Sequence, residues 1–198
     1  LLFLEQTESA RIALWDTLAG KLKIYRKTFD YIDSAYLYLE RDNFVIGDKG
    51  GAMRSFELSD IGWLDYYQQL DSCEGTYCLT SRLAQGTYPY LMTMLYPVRD
   101  SRGSLLGTIV INIDLDSLNE SLGRSSKDLQ QLYMVNADGQ ILYSSITRSI
   151  KYKDMRPEGL DDFRQMESGS RIQQMRSGEE SIISVVDSGL EKIRYIMY

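Results

Sequence analysis

Trp63, Tyr66, Tyr77, Arg82, Thr93, Asn112 and Asp114 are residues of the types that hold a small polar molecule. Trp and Tyr offer an apolar wall with a polar tip, Arg a planar fork of donors, and Thr, Asn and Asp short groups that can be aimed. An aromatic wall with a few convergent polar groups is the lining such a ligand needs. Taken singly, each has a plainer reading: a core tryptophan, surface tyrosines, an arginine paired with a nearby acid. Taken together, they point to binding because of the strand that carries two of them. From Thr108 onward, Thr108, Val110, Asn112 and Asp114 alternate with Ile109, Ile111, Ile113 and Leu115. The isoleucine face reads as core. Polar groups on the opposite face of a central strand need a partner, a water or a ligand, since burial without one costs about 1 to 3 kcal/mol each.

Catalysis has less to work with. The 198 residues contain no histidine, which removes Ser-His-Asp and Cys-His chemistry, ordinary zinc sites and histidine-ligated haem. A carboxylate pair of the glycosidase kind could be drawn from Asp65, Asp114 and Asp116, but no motif organises them. The reading is a binding domain and not an enzyme, with no cofactor; a tandem domain holding flavin or haem is set aside. The net charge of -6, from 22 basic and 28 acidic residues without a basic cluster, gives nucleic acid no electrostatic footprint.

Cys73 and Cys78 are the two cysteines, separated by Glu74-Gly75-Thr76-Tyr77. They read either as a small disulfide-closed loop in an oxidising compartment or as two unpaired thiols in or near the core.

The elements that must position these residues come twice. Ala35 to Leu39, the turn Glu40-Arg41-Asp42-Asn43 and Phe44 to Ile46 read as strand, turn, strand; Leu132 to Val135, Asn136-Ala137-Asp138-Gly139 and Gln140 to Tyr143 repeat the pattern. A duplicated hairpin implies two small α+β modules. The first thirty residues read as a helix. Its stripe Trp15, Leu18, Leu22, Tyr25 and Phe29 is expected to be buried, on its own sheet or shared with a second subunit. Ser59 or Asp60 reads as the N-cap of a helix carrying Ile61, Leu64, Tyr67 and Leu70. Tyr88 to Val98 and Leu105 to Leu115 read as long strands about the turn Arg99 to Gly103. Ser117-Leu118-Asn119-Glu120 resembles a capping box on a short helix ending near Gly123, and the polar hinge after it sets the boundary. The expected organisation is a helix over 1–30, a first unit over 31–125 and a smaller second unit over 126–198. The second unit continues with a loop through Pro157, a helical stretch around Leu160, Phe163 and Met166, and strands Ser181 to Val186 and Leu190 to Met197. No apolar run is long enough to span a bilayer, and the abrupt ends, Leu1-Leu2-Phe3-Leu4 and Ile193 to Tyr198, read as those of a piece excised from a longer protein.

The run Tyr96-Pro97-Val98-Arg99-Asp100-Ser101-Arg102-Gly103-Ser104-Leu105-Leu106-Gly107-Thr108-Ile109-Val110-Ile111-Asn112-Ile113-Asp114-Leu115, followed by the hairpin from Leu132 to Ser145, resembles the extracytoplasmic double Cache domain, above all that of YesM-type bacterial sensor histidine kinases. The resemblance implies a long N-terminal helix leaving the membrane and two PAS-like antiparallel-sheet units. The distal unit would bind a small molecule, and the output domain would lie in the cytoplasm. It also implies a homodimer through the N-terminal helix. Chemoreceptor or diguanylate cyclase outputs, and recognition of a solute-binding protein, are the alternatives. Amino-acid-binding members carry an Arg two residues before a Trp and an Asp on the return strand. Here Ile61 precedes Trp63 by two, and Asn112 stands at the Asp position. The ligand implied is a sugar, an organic acid or an amino-acid derivative more than a plain amino acid.

Overall fold

In the computed structural model, residues 8–48, 51–72, 76–84, 87–123, 132–136, 140–145, 166–174, 178, 180–187 and 193–197 are described. The chain divides into two compact units, Leu1–Leu118 and Asn119–Tyr198.

Unit 1 opens with helix α1 (Glu8–Thr28) and builds a six-stranded antiparallel sheet. Its strands are β1 (Ile32–Leu39), β2 (Phe44–Gly47), β3 (Ala52–Arg54), β4 (Cys78–Ala84), β5 (Thr87–Arg99) and β6 (Leu105–Asp114), in the order β3-β2-β1-β6-β5-β4. Local chemistry sets the turns. Asn43 takes a positive φ of 51° between β1 and β2, a conformation that Asn tolerates better than most residues. Between β5 and β6, Asp100 Oδ1 accepts the amides of Arg102 and Ser104 at 2.8 and 2.9 Å, and Gly103 takes the left-handed conformation. Gly107 is required where β6 crosses β1, since a Cβ there would sit 1.9 Å from the Tyr38 carbonyl oxygen.

Pairing register places Ser34, Tyr36 and Tyr38 of β1 opposite Asn112, Val110 and Thr108 of β6, and Thr93 and Leu95 of β5 opposite Asn112 and Val110. This face is covered by the segment between β3 and β4, which holds the short helix α2 (Leu64–Tyr67) flanked by single 3-10 turns at Ser55–Glu57 and Leu70–Ser72. Trp63, Tyr67 and Leu70 enter its core beside Tyr36, Tyr38, Val45, Leu95 and Val110. The isoleucine face, expected to be the core, is the less enclosed one: Ile109, Ile111 and Ile113 are half-buried, while Thr108, Val110 and Asn112 are buried. The covering segment reaches only the second face, and hydrophobicity of the strand alone does not say which face it will choose.

Three further expectations are corrected. Helix α1 exists, but its stripe is not largely buried: Trp15, Leu18 and Leu22 are half-buried, and Tyr25 and Phe29 are 61% and 41% exposed. The inner face runs instead through Arg11, Trp15, Leu18, Ala19, Leu22 and Arg26. Trp15 stacks on Phe44 at 5.3 Å, and Arg26 Nε donates to the Asp33 carbonyl at 2.8 Å. The helix expected from Ser59 or Asp60 is cut to α2, whose N-cap position is Trp63, because Asp60 is drawn elsewhere. Helix α3 (Leu115–Gly123) begins two residues before the expected capping box. Asp114 caps it, accepting the Ser117 amide at 2.7 Å.

Unit 2 contains a five-stranded antiparallel sheet, ordered β8-β7-β11-β10-β9, from β7 (Leu132–Val135), β8 (Ile141–Ser144), β9 (Gly169–Gln174), β10 (Glu180–Asp187) and β11 (Arg194–Met197). Its core is Tyr133, Val135, Ile141, Ile183, Val185 and Ile196. Strands β3, β4 and β9 carry no signal that was read from the sequence, being short, polar or exposed. The turn residues Asp138 and Gly139, the helical stretch around Leu160 and Phe163, and residues 188–192 lie outside the described residues; Met166 is not helical.

Candidate functional site

Arg82 on β4 is the centre of the enclosed face of unit 1. It is 7% exposed, a cost that a charged side chain bears only when its donors are matched. They are. Nε donates to Thr93 Oγ1 at 2.8 Å; Nη1 and Nη2 grip Asp60 Oδ1 and Oδ2 at 2.9 and 2.6 Å; Nη2 also reaches Asn112 Oδ1 at 3.0 Å, and Nη1 the Leu83 carbonyl at 3.4 Å. The two-pronged grip is the strong, planar form of an arginine–carboxylate pair. Thr93 Oγ1 donates to Asn112 Oδ1 at 2.8 Å, and Asn112 Nδ2 donates to Ser34 Oγ at 3.0 Å and Tyr36 Oη at 3.4 Å. Burial pushes the Tyr36 hydroxyl far above its ordinary range, an effect that the hydrogen bond with Asn112 partly offsets. The phenol is therefore neutral.

Asp60 belongs to the covering segment and ties that segment to the sheet. Its Oδ1 also accepts the Gly62 amide at 3.2 Å, and its carbonyl accepts the Trp63 indole N–H at 3.1 Å. Gly62 lets the guanidinium come close: a Cβ at this position would lie 3.1 Å from Arg82 Nη1. Trp63 itself is fully buried, with the rings of Tyr36, Tyr38 and Tyr67 centred 5.5, 5.1 and 6.5 Å from its own. Tyr67 donates to Glu40 Oε2 at 3.0 Å. At the other end of the segment Cys78 is disulfide-bonded. Cys73, the chain's one other cysteine, lies outside the described residues.

Of the residues singled out from the sequence, Arg82, Thr93 and Asn112 are joined in one network, and Trp63 lies in the aromatic core beside Tyr36, which the network also reaches. Tyr66 is half-buried and packs on that core, Tyr77 is half-buried, and Asp114 is engaged at the start of α3. Asp60, Ser34 and Tyr36 were missed. Ser34 and Tyr36 alternate with Ala35 on a strand and could have been paired with Asn112 once register was known. Asp60 carried a signal that pointed to a helix cap. Thr80, two residues before Arg82 on the same strand face, was missed as well; it is 4% exposed and its hydroxyl has no hydrogen-bond partner. Among the described residues no group of three or more His, Cys, Asp or Glu is placed to hold a metal ion, and no helix is long and apolar enough to cross a membrane.

No protein-family profile and no curated protein matches the chain. Solved structures do. The sensory domain of the Campylobacter jejuni chemoreceptor Tlp3 (CcmL), with isoleucine bound, aligns over 96% of this chain and 74% of its own at 15% identity, with a TM-score of 0.56. The extracellular domain of rpHK1S-Z16, assigned as a histidine kinase, aligns over 96% of this chain and 82% of its own at 10% identity and a TM-score of 0.63. That of mmHK1S-Z3, assigned likewise, covers 95% and 84% at 13% identity and a TM-score of 0.59. The fold is that of these sensory domains. It is the α+β arrangement of a helix and two antiparallel sheets expected from the doubled hairpin.

Proposed function

We propose that the chain is the ligand-sensing domain of a bacterial transmembrane receptor, placed on the outer side of the membrane, and that the receptor is a two-component histidine kinase. A small polar molecule is recognised in unit 1, between the sheet face that carries Arg82, Thr93 and Asn112 and the covering segment with Trp63 and Tyr66. Tyr77 and Asp114 stand at the margins of that region. The observation that carries this reading is the enclosure of a charged, hydrogen-bonded cluster on a central sheet face, where an apolar core would serve stability at least as well. Similarity in fold to the isoleucine-bound Tlp3 domain supports a small-molecule role. The ligand differs in kind. Ile61 and Asn112 stand where amino-acid binders carry Arg and Asp, which favours an organic acid, a sugar or an amino-acid derivative. Ile24 and Tyr25, exposed on α1, and Phe29 just past its end suit a helix shared with a second copy in the full receptor.

A second reading, in which the domain recognises a ligand-loaded solute-binding protein and holds no ligand itself, is favoured by one observation: tyrosine rings fill the space around Trp63, and the cluster's groups satisfy one another. A thermal-shift screen of amino acids, sugars, organic acids and peptides separates the two. A ligand at a hundred times its Kd stabilises by about 2.7 kcal/mol, and Asn112→Ala or Trp63→Ala should weaken it. Unchanged binding in both folded variants would place the site elsewhere. A screen without a hit, with a loaded solute-binding protein captured, would favour the second reading.

A further inference from the structure

We propose that Asp60 is a built-in competitor for a carboxylate ligand: Arg82 is the anchor for the ligand's carboxylate, and in the unliganded domain Asp60 occupies that anchor and holds the covering segment shut. The inference rests on the binding reading above and names the chemical class of the ligand. Three observations carry it. The first is geometry. Asp60 meets both Nη atoms in the planar, two-pronged arrangement that a free carboxylate would use, at 2.9 and 2.6 Å. The second is the difference in anchoring between the partners. The Arg82 side chain is 5% exposed and fixed on a strand through Thr93 and Asn112, whereas the Asp60 side chain is 18% exposed and belongs to a segment of short turns. A competing carboxylate can take the exposed member's place without disturbing the sheet. The third is Thr80. Its hydroxyl is buried, unpartnered, and on the same strand face two residues from Arg82, opposite Thr93 in register. It is a spare hydrogen-bonding group beside the anchor, which Asp60 does not use.

Exchange of one carboxylate for another leaves Arg82 paired in both end states, so neither buries an unmatched charge. It also couples occupancy to the segment that carries Trp63. An acidic ligand thus releases the covering segment, and a neutral one has no means of doing so.

The test uses acetate and succinate as probes, glucose as the neutral control, and sodium chloride to match ionic strength. Asp60→Asn keeps the shape but weakens the competitor, since a neutral acceptor binds a guanidinium less well than a charged one. Apparent affinity for succinate should then rise about tenfold over the wild type, with glucose unchanged. Asp60→Ala should melt lower than the wild type and be restored by acetate but not by chloride, and Arg82→Gln in addition should abolish that rescue. If Asp60→Asn and Asp60→Ala fold yet take acetate and succinate no better than the wild type, the inference is overturned. The binding reading would still stand or fall separately, on the Asn112→Ala and Trp63→Ala screen. Should neither variant fold, the wild type decides, through the Arg82 Nε–H nuclear magnetic resonance signal. A saturable shift with succinate and none with glucose supports the exchange. No shift up to the solubility limit of the probe overturns it.

Discussion

Arginine–aspartate pairs occur in both units, and one from each sits in surroundings opposite to the other's. In unit 1, Arg82 and Asp60 have side chains 5% and 18% exposed; in unit 2, Arg194 and Asp187 meet at 2.8 Å with side chains 29% and 48% exposed. The contrast extends to the cores. The enclosed face of unit 1 buries Thr80, Arg82, Thr93, Thr108 and Asn112, whereas Ser144 is the one buried Ser, Thr, Asn or charged residue among the described residues of unit 2. Two sheets built from the same kind of hairpin thus solve the packing problem differently. Among the described residues the core of unit 2 is apolar and aromatic, which is the cheaper solution. Unit 1 keeps a desolvated ion pair that a hydrophobic core would match in stability.

The contrast fixes the order of expected mutational effects. Asp60→Ala should be the most damaging, by about 3 to 5 kcal/mol, because it strands a buried guanidinium. Both tryptophans, Trp15 and Trp63, lie in unit 1, so tryptophan fluorescence in a denaturant titration reports this loss; a change below about 1 kcal/mol would make the pair equivalent to a surface one. Ile183→Ala, at a fully buried position of unit 2, should cost about 3 kcal/mol through the cavity it leaves. The loss should appear in far-ultraviolet circular dichroism with the fluorescence transition unmoved; if both probes shift together, the units do not unfold independently.

Cys78→Ser comes next, at about 2 kcal/mol, since it removes the disulfide at the start of β4. The unfolded, unreduced wild type should take up no alkylating agent, and labelling at two thiols would sink the disulfide. Tyr143→Phe should cost about 1 kcal/mol at neutral pH by removing the 2.8 Å hydrogen bond to Asn119. Burial pushes the Tyr143 hydroxyl up to about 12 from an ordinary value near 10. Its contribution is therefore complete below pH ~10 and declines as pH rises toward about 12, where the folded state also ionises. The variant should lose that part of the alkaline destabilisation. A slope unchanged by the mutation would mean that another group causes it. Asp187→Asn should have the smallest effect, below about 1 kcal/mol and weakening further with salt, because its pair with Arg194 is exposed.

Much of the candidate site was legible one residue at a time and not as an assembly. Thr93 and Asn112 stood out because polar side chains on apolar, alternating strands are costly, and Arg82 only as a charged group near the cysteine loop. Register then brought them together by placing Thr93 opposite Asn112 and Thr80 opposite Thr93. Asp60 was read as a helix cap, for a cap and a salt-bridge acceptor have the same sequence signature: an acid just before an apolar run. The three tyrosine rings packed around Trp63 were not legible either, since Tyr36 and Tyr38 come from a strand far from it in the chain.

By itself the sequence determined the doubled hairpin, the long β5–β6 pair with its Asp100 and Gly103 turn, and the α+β class, because strand alternation and turn chemistry act over a few neighbouring residues. It determined too that the function cannot rest on imidazole. The tertiary structure alone decided which sheet face is enclosed, which stripe of α1 turns inward and that Arg82 is matched by Asp60. Each of these is a competition among groups far apart in the chain. The winner is set by desolvation and register, which no local pattern of residues records.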